Sequence, residues 1–187
     1  MSKIVAVGHH KNVGKDAFVR LCINFLRPEM RGKRLVRRGF ADKLYHYCHA
    51  IYGWAGFRDL AFYQDNSKIK GEVLPALGKS PRQILIEVGQ HMRKYDNEIW
   101  LNANLKATDF DVLFINDIRF PTEFEGCLPA NAIMVKIVRP GLPVPTDEAD
   151  TALDHYPDSA WHKVYHNSGD LNDLATLAEA FCKEYLL

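Results

Sequence analysis

The segment that most limits the fold of this chain lies near its amino end. Ile4-Val5-Ala6-Val7 is a short apolar run that ends in Gly8-His9-His10-Lys11-Asn12-Val13-Gly14-Lys15-Asp16. Such a run suits a strand buried on both faces of a parallel sheet. From Asp16 to Leu26 the apolar residues Phe18, Leu21, Cys22 and Phe25 share one helical face, and Pro28 and Gly32 mark its end. A strand, a glycine-bearing turn and a helix in this order can aim consecutive backbone N–H groups at one anion, with the positive end of the helix dipole behind them. Gly14 permits close approach of the backbone, and Lys15 is the side chain that would reach the outer phosphates of a nucleotide. The competing reading is an ordinary strand–turn–helix connection that happens to contain Gly-Lys.

Two details depart from the commonest phosphate loop. The spacing G-x-x-x-x-G-K puts its first glycine at His9, and Gly8 stands one residue early. The Ser or Thr that usually follows the lysine is Asp16. A carboxylate at that place can still direct Mg²⁺, through water if not directly.

Beyond the loop, strands and helices alternate. Arg34 to Phe40 reads as a strand, Ala41 to Ala55 as a helix and Leu60 to Ile69 as a further helical piece. Gly71 to Gly78 is irregular. Ser80-Pro81 opens a helix as N-cap and first-turn proline, with Ile84, Leu85, Val88 and Met92 on its apolar face. Asp96 is a candidate cap for a helix through Trp100, Leu101 and Leu105. Asp109 to Asn116 is the clearest core strand, Thr122 to Cys127 a short helix and Ala132 to Val138 another strand. Pro140 to Pro157, rich in Pro, Asp and Thr, is a loop: either a lid at about 140–160 carrying Asp147, Glu148 and Asp150, or a passive surface segment. Val164 to His166 closes the set of strands, and Asp170 caps a terminal amphipathic helix to Leu186. This order predicts an α/β fold with a parallel sheet and helices on both faces. Ligands of such sheets sit at the carboxyl ends of the strands.

The totals narrow the class of protein. At 187 residues the chain suits one domain with room for a small insert. A net charge of +1 provides no field to draw the whole chain to nucleic acid or to a membrane surface. No apolar run approaches the roughly 20 residues of a spanning helix. The first residues, Met1-Ser2-Lys3, lack a signal-peptide pattern. Cys22, Cys48, Cys127 and Cys182 form no CxxC pair, which fits free thiols in a reducing compartment. The expectation is a cytoplasmic protein with no nucleic-acid or membrane partner.

Four further stretches carry a resemblance. They are Phe40-Ala41-Asp42-Lys43-Leu44, Pro81-Arg82-Gln83-Ile84-Leu85 with Gly89, Asn116-Asp117-Ile118-Arg119-Phe120-Pro121-Thr122-Glu123, and His166-Asn167-Ser168-Gly169-Asp170-Leu171. With the Gly-Lys-Asp end of the loop, they resemble the deoxynucleoside monophosphate kinases of phages and bacteria, in the right order over nearly the whole chain. The resemblance implies a three-layer α/β/α sandwich of the P-loop kinase type. It also implies phosphoryl transfer from ATP, with Mg²⁺, to a deoxynucleoside monophosphate. Lys11, Asn12, Gly14, Lys15, Asp16 and Ala17 match the ATP loop. Asp42, Lys43, Arg82, Gly89, Trp100, Asp117, Arg119 and Glu123 match acceptor-site positions. Lys15, Arg82 and Arg119 match the catalytic cations, and Asp16 and Asp117 the metal-directing carboxylates. Tyr45 stands where the family often has a lysine, and Ile86 where a glutamine is usual; Lys43 is the nearest substitute for the first. A homodimer is an assembly compatible with this reading.

The residues make chemical sense without the resemblance. Phosphoryl transfer requires two phosphates held in line, neutralised charge and little water. Arg82, Arg93, Arg119 and Arg139 offer bidentate phosphate grips. Arg82 falls in the first turn of a helix, an unfavourable place for a cation unless an anion shares it. Asp117 could instead be a cap, Arg119 a surface arginine paired with Glu123, and Trp100 either a base-stacking ring or core. Two other kinds of protein fit the loop: a kinase of another small molecule such as dephospho-coenzyme A, and a nucleotide-binding module without turnover. Two patterns are decoys. His46-Tyr47-Cys48-His49 puts zinc-type ligands at helical spacing without a second pair. The basic run Lys33 to Arg38 interleaves with a strand in a near-neutral chain.

Overall fold

The computed structural model describes residues 2–106, 109–143, 145 and 148–187. The chain forms two compact units, one from residues 1–39 and 107–187, the other from residues 40–106 inserted between them in the sequence.

The first unit is built on a five-stranded parallel sheet: β1 (Lys3–Gly8), β2 (Leu35–Arg38), β3 (Val112–Ile118), β4 (Ile133–Val138) and β5 (Lys163–His166). The strand order is β2-β3-β1-β4-β5. The chain leaving β1 through α1 (Lys15–Glu29) returns as β2 beyond β3, whereas the chain leaving β3 through α6 (Pro121–Cys127) passes β1 and returns as β4. Connections from two adjacent strands thus run in opposite directions. Right-handed crossovers then put α1 and α6 on opposite faces, giving the α/β/α layering expected from the sequence. The same reversal opens a crevice at the carboxyl ends of β1 and β3.

One face of the sheet carries Val5, Val7, Val112, Phe114, Val135 and Ile137. They pack with Phe18, Val19, Cys22 and Leu26 of α1 and with Leu174, Ala178, Phe181 and Cys182 of the terminal helix α8 (Leu171–Tyr185). Ala6, Leu113, Ile115 and Met134 point the other way and are equally buried. Burial on both faces explains why the strands read as apolar runs rather than alternating ones. All four cysteines are free and buried. No helix among the described residues is long and apolar enough to cross a membrane.

The pairing of β1 with β3 holds an irregularity that bears on the site. Ala6 lies opposite Ile115 but Gly8 opposite Ile118, so β3 has one extra residue here. Such a bulge redirects side chains at the end of a strand. Here it falls on Asn116 and Asp117. The strand continues through both to Ile118, which places Asp117 inside β3 rather than after it. The strand also begins at Val112, because Asp109 and Asp111 turn outward to basic partners: Arg38 lies 2.6 Å from Asp109 and Lys33 3.3 Å from Asp111. Arg37 meets Asp16 at 3.4 Å. The basic run therefore faces carboxylates of its own chain.

The segment expected to be a loop at 140–157 contains one short helix, α7 (Glu148–Thr151). The terminal helix starts as expected: Asp170 accepts the backbone N–H groups of Asn172 and Asp173, and Asp173 answers with a bond from Asp170 N.

The inserted unit is helical: α2 (Phe40–Tyr52), α3 (Leu60–Asp65), α4 (Pro81–Tyr95) and α5 (Ile99–Leu105). Its core holds Leu44, Tyr45, Cys48, Phe57, Tyr63, Ile84 and Trp100. Ser80 and Gln83 form a capping box at the start of α4, so Ser-Pro does open this helix. Asp96 does not cap α5. Its carboxylate accepts the N–H of Glu98, which is the N-cap residue, and so shapes the turn before the helix.

Gly8 is required by close packing. A Cβ there would sit 2.8 Å from the buried indole of Trp161 and 3.2 Å from the Ile118 carbonyl oxygen. Gly8→Ala is therefore expected to destabilise the protein by about 1–3 kcal/mol, as for other overpacked sites, measured as a lowered denaturation midpoint with unchanged slope. Wild-type stability in this variant would contradict the packing described.

Candidate functional site: the loop between β1 and α1

The loop between β1 and α1 has left-handed backbone at His9 (φ 88°), Asn12 (φ 61°) and Gly14 (φ 105°). His9 takes this conformation at the place where the common spacing has its first glycine, which accounts for the apparent one-residue slip. Gly14 is the N-cap of α1 and offers no side chain to it. Among the described residues, none accepts a hydrogen bond from the backbone N–H of Gly14, Lys15, Asp16 or Ala17. These are the four donors that a helix start leaves without intrahelical partners. At α4 and α8 side chains satisfy such donors; at α1 they remain for an anion.

The Lys15 ammonium lies over the loop and is 93% buried by residue, at 7% exposure. It donates to the carbonyl oxygens of His9, at 2.8 Å, and of His10. Burial, and after it the guanidinium of Arg119, bring its pKa down to about 8, while Asp16, Asp150 and Asp117 pull the other way. Loss of water is thus what most disfavours the charged ammonium, and an anion brought next to it would favour that form again. Asn167 fixes the far side of the loop. Its buried amide donates to the Val13 carbonyl at 2.8 Å, and a Cβ at Gly14 would come within 2.6 Å of the same nitrogen. Next to this anchor, His166 to Gly169 with Asp173, Thr176 and Leu177 line an open groove of about 430 Å³.

The metal-directing candidates lie close by. Asp16 accepts from the buried Asn116 amide while its side chain remains largely open to solvent. Asn116 Oδ1 is buried with no donor among the described residues. An orphaned buried acceptor beside an open carboxylate fits an oxygen-seeking cation or the water that such a cation carries. Asp117 is half-buried one residue further along the bulge.

Asp150, in α7, is the residue that sequence reading placed only within a candidate lid. Its side chain is 2% exposed and faces two cations of the site. It lies 2.9 Å from Lys11 Nζ, accepts the Lys11 backbone N–H at 3.2 Å and meets Arg119 Nη1 at 3.3 Å. Burial pushes this carboxyl upward, but Lys11 and Arg119 outweigh it, and the net shift is below the usual carboxylate range. Asp150 thus occupies the charge environment that a bound phosphate would seek. The Arg119 guanidinium pairs with Asp150, and Glu123 accepts from the backbone N–H groups of Arg119 and Phe120, at 2.9 and 3.2 Å. Glu123 thereby shapes the turn from β3 into α6. Asp147 lies outside the described residues.

The remaining candidates belong to the helical unit. Asp42 and Lys43 are in the first turn of α2, half-buried and exposed respectively. Arg82 is exposed in the first turn of α4. Gly89 is buried on that helix, and its carbonyl accepts the Trp100 indole N–H at 3.4 Å. Trp100, 8% exposed, is part of the unit's core, so of its two uses the structure favours packing. Tyr45 is also core, with the Lys70 ammonium 5.2 Å above its ring. In the zinc-like decoy, Cys48 is fully buried and His49 is bonded to the Phe57 carbonyl.

Two outcomes test the loop as an anion site. Binding of inorganic tripolyphosphate, followed by calorimetry, is expected to weaken as the pH rises through about 8, where the free loop loses the Lys15 proton. Proton uptake on binding is expected in the same range, and a flat profile contradicts the role given to Lys15. Asp150→Asn removes the anion that competes for Lys11 and Arg119 and is expected to tighten the same binding roughly threefold to tenfold; weaker binding would contradict the competition. Comparison with models of protein families and with curated proteins finds no match to this chain.

Proposed function

We propose that this chain is an ATP-dependent kinase of deoxynucleoside monophosphates. The observation that carries the reading is the pairing of four helix-start amides that have no acceptor among the described residues with the buried ammonium of Lys15. The stretches that resemble the phage and bacterial enzymes narrow it to this acceptor.

In this reading the amides of Gly14 to Ala17 and the Lys15 ammonium hold the β- and γ-phosphates of ATP, with Lys11 and Asn12 at the rim. The groove beside Asn167 is large enough for a nucleoside, within the usual range of small-molecule pockets. Asp16 and Asp117 would hold Mg²⁺, which when bound would supply positive charge against that of the phosphates. Arg119 exchanges Asp150 for the transferred phosphoryl group. An oxygen of the acceptor phosphate attacks the γ-phosphorus as the bond to the β,γ-bridging oxygen breaks, leaving ADP and a deoxynucleoside diphosphate. Arg82, Lys43 and Asp42 are assigned to the acceptor, the first two to its phosphate. Lys15 and Arg119 act mainly on charge that develops in transit, so their contribution is electrostatic.

Incubation with ATP, Mg²⁺ and each deoxynucleoside monophosphate, with diphosphate products counted, is expected to show acceptor-dependent turnover. Lys15→Ala is expected to reduce it by about a hundredfold or more, the scale of losing one preorganised charge at a reacting group. ATP binding without transfer to any acceptor would leave a nucleotide-binding module and remove the kinase reading.

A further inference from the structure

The loop residues His9 and His10 do something that phosphate holding does not require. Their rings stack with centroids 3.7 Å apart and planes 16° from parallel. Both Nε2 atoms converge on one carboxylate oxygen of Asp154, at 3.2 and 2.7 Å. One ligand atom from each of the three residues lies within 4.8 Å of the others. The His9 side chain is 8% exposed, that of His10 23% and that of Asp154 44%, so the cluster opens to solvent on one side. Burial above all, then His10 and Lys136, depress the His9 pKa to about 4 despite Asp154. Lys136, one of the charges acting on His9, is itself paired with Asp158 at 2.9 Å.

We infer that His9, His10 and Asp154 form a binding site for a divalent transition-metal ion of the zinc class, with the ion among the two imidazoles and the carboxylate. Two nitrogen donors and one carboxylate match the ligand preferences of Zn²⁺ and leave a position for water. Donor separations of about 3.3 Å are expected for a tetrahedral ion with bonds near 2.0–2.1 Å; the two nitrogen-to-carboxylate separations here are 3.2 and 2.7 Å, and the stacked rings must splay for both nitrogens to face the ion. Imidazole donors disfavour Mg²⁺, which seeks oxygen ligands in an octahedron. The site is thus distinct in chemistry from the Asp16/Asp117 pair. It joins the loop to the turn that follows α7, the helix whose Asp150 reaches Lys11 and Arg119. An ion here fastens that segment to the loop at a second point.

The full chain, stripped of metal by a chelator and titrated with Zn²⁺ in a calorimeter, is expected to bind one ion with a dissociation constant at or below the micromolar range. Mg²⁺ in large excess is expected not to displace it. His10→Ala and Asp154→Asn, each checked for a native circular dichroism spectrum and melting transition, are expected to weaken binding at least tenfold. Co²⁺ in place of Zn²⁺ is expected to show the visible bands of nitrogen and oxygen ligation without a thiolate charge-transfer band. Absence of stoichiometric Zn²⁺ binding, unchanged affinity in both folded variants, or a thiolate band would each overturn the assignment. All three readouts are independent of kinase turnover.

Discussion

A positive charge buried away from water sets the electrostatics at the open end of the sheet. Lys15 is buried against two carbonyl oxygens, and these accept two of its three ammonium protons without neutralising its charge. Four helix-start amides add their partial charges at the same end of α1. A fold tolerates such a concentration only where carboxylates or a ligand balance it. The chain supplies Asp16 from the helix itself, Asp117 from the bulge of β3 and Asp150 from α7. The position of each follows from the sheet: β1 and β3 are neighbours, their connections diverge, and the polar end of the sheet is left open between them.

The arrangement has a mechanical side. Asn167 holds the loop at Val13 from the end of β5, and Asp150 and Asp154 hold it at Lys11 and His10 from the segment around α7. The loop is thus suspended between two anchors. The first is a neutral, buried amide bond that survives any change of charge. The second consists of carboxylates, which compete with an incoming anion and would be released by it. A phosphate binder that must let its product leave benefits from having both kinds.

The packing of the helical unit explains which aromatic residues are committed. Trp100 and Tyr45 fill its core, and the indole N–H of Trp100 is satisfied by the Gly89 carbonyl. A buried aromatic with its polar handle bonded contributes to stability more readily than to recognition. Lys43 and Arg82, at the starts of α2 and α4, are exposed charges of the same unit.

Much of this was legible in the chain because it is local. The strand–loop–helix at residues 3–29, the Ser80 capping box and the Asp170 cap depend on residues a few positions apart, and hydrophobic period and cap chemistry reveal them. The parallel sheet followed from the alternation of elements. Other features have no local signature. Lys11 and Asp150 are 139 residues apart, Val13 and Asn167 154. No turn signal or periodicity marks either pair, and the bulge that re-aims Asn116 and Asp117 is a matter of register between two strands. The use of Trp100 depended on what surrounds it. The sequence by itself determined where a polyanion could be gripped, since backbone geometry and helix polarity are set within a few residues. Only the tertiary structure decided which carboxylates face that grip, because charge pairing at a buried site depends on distance in space and not along the chain.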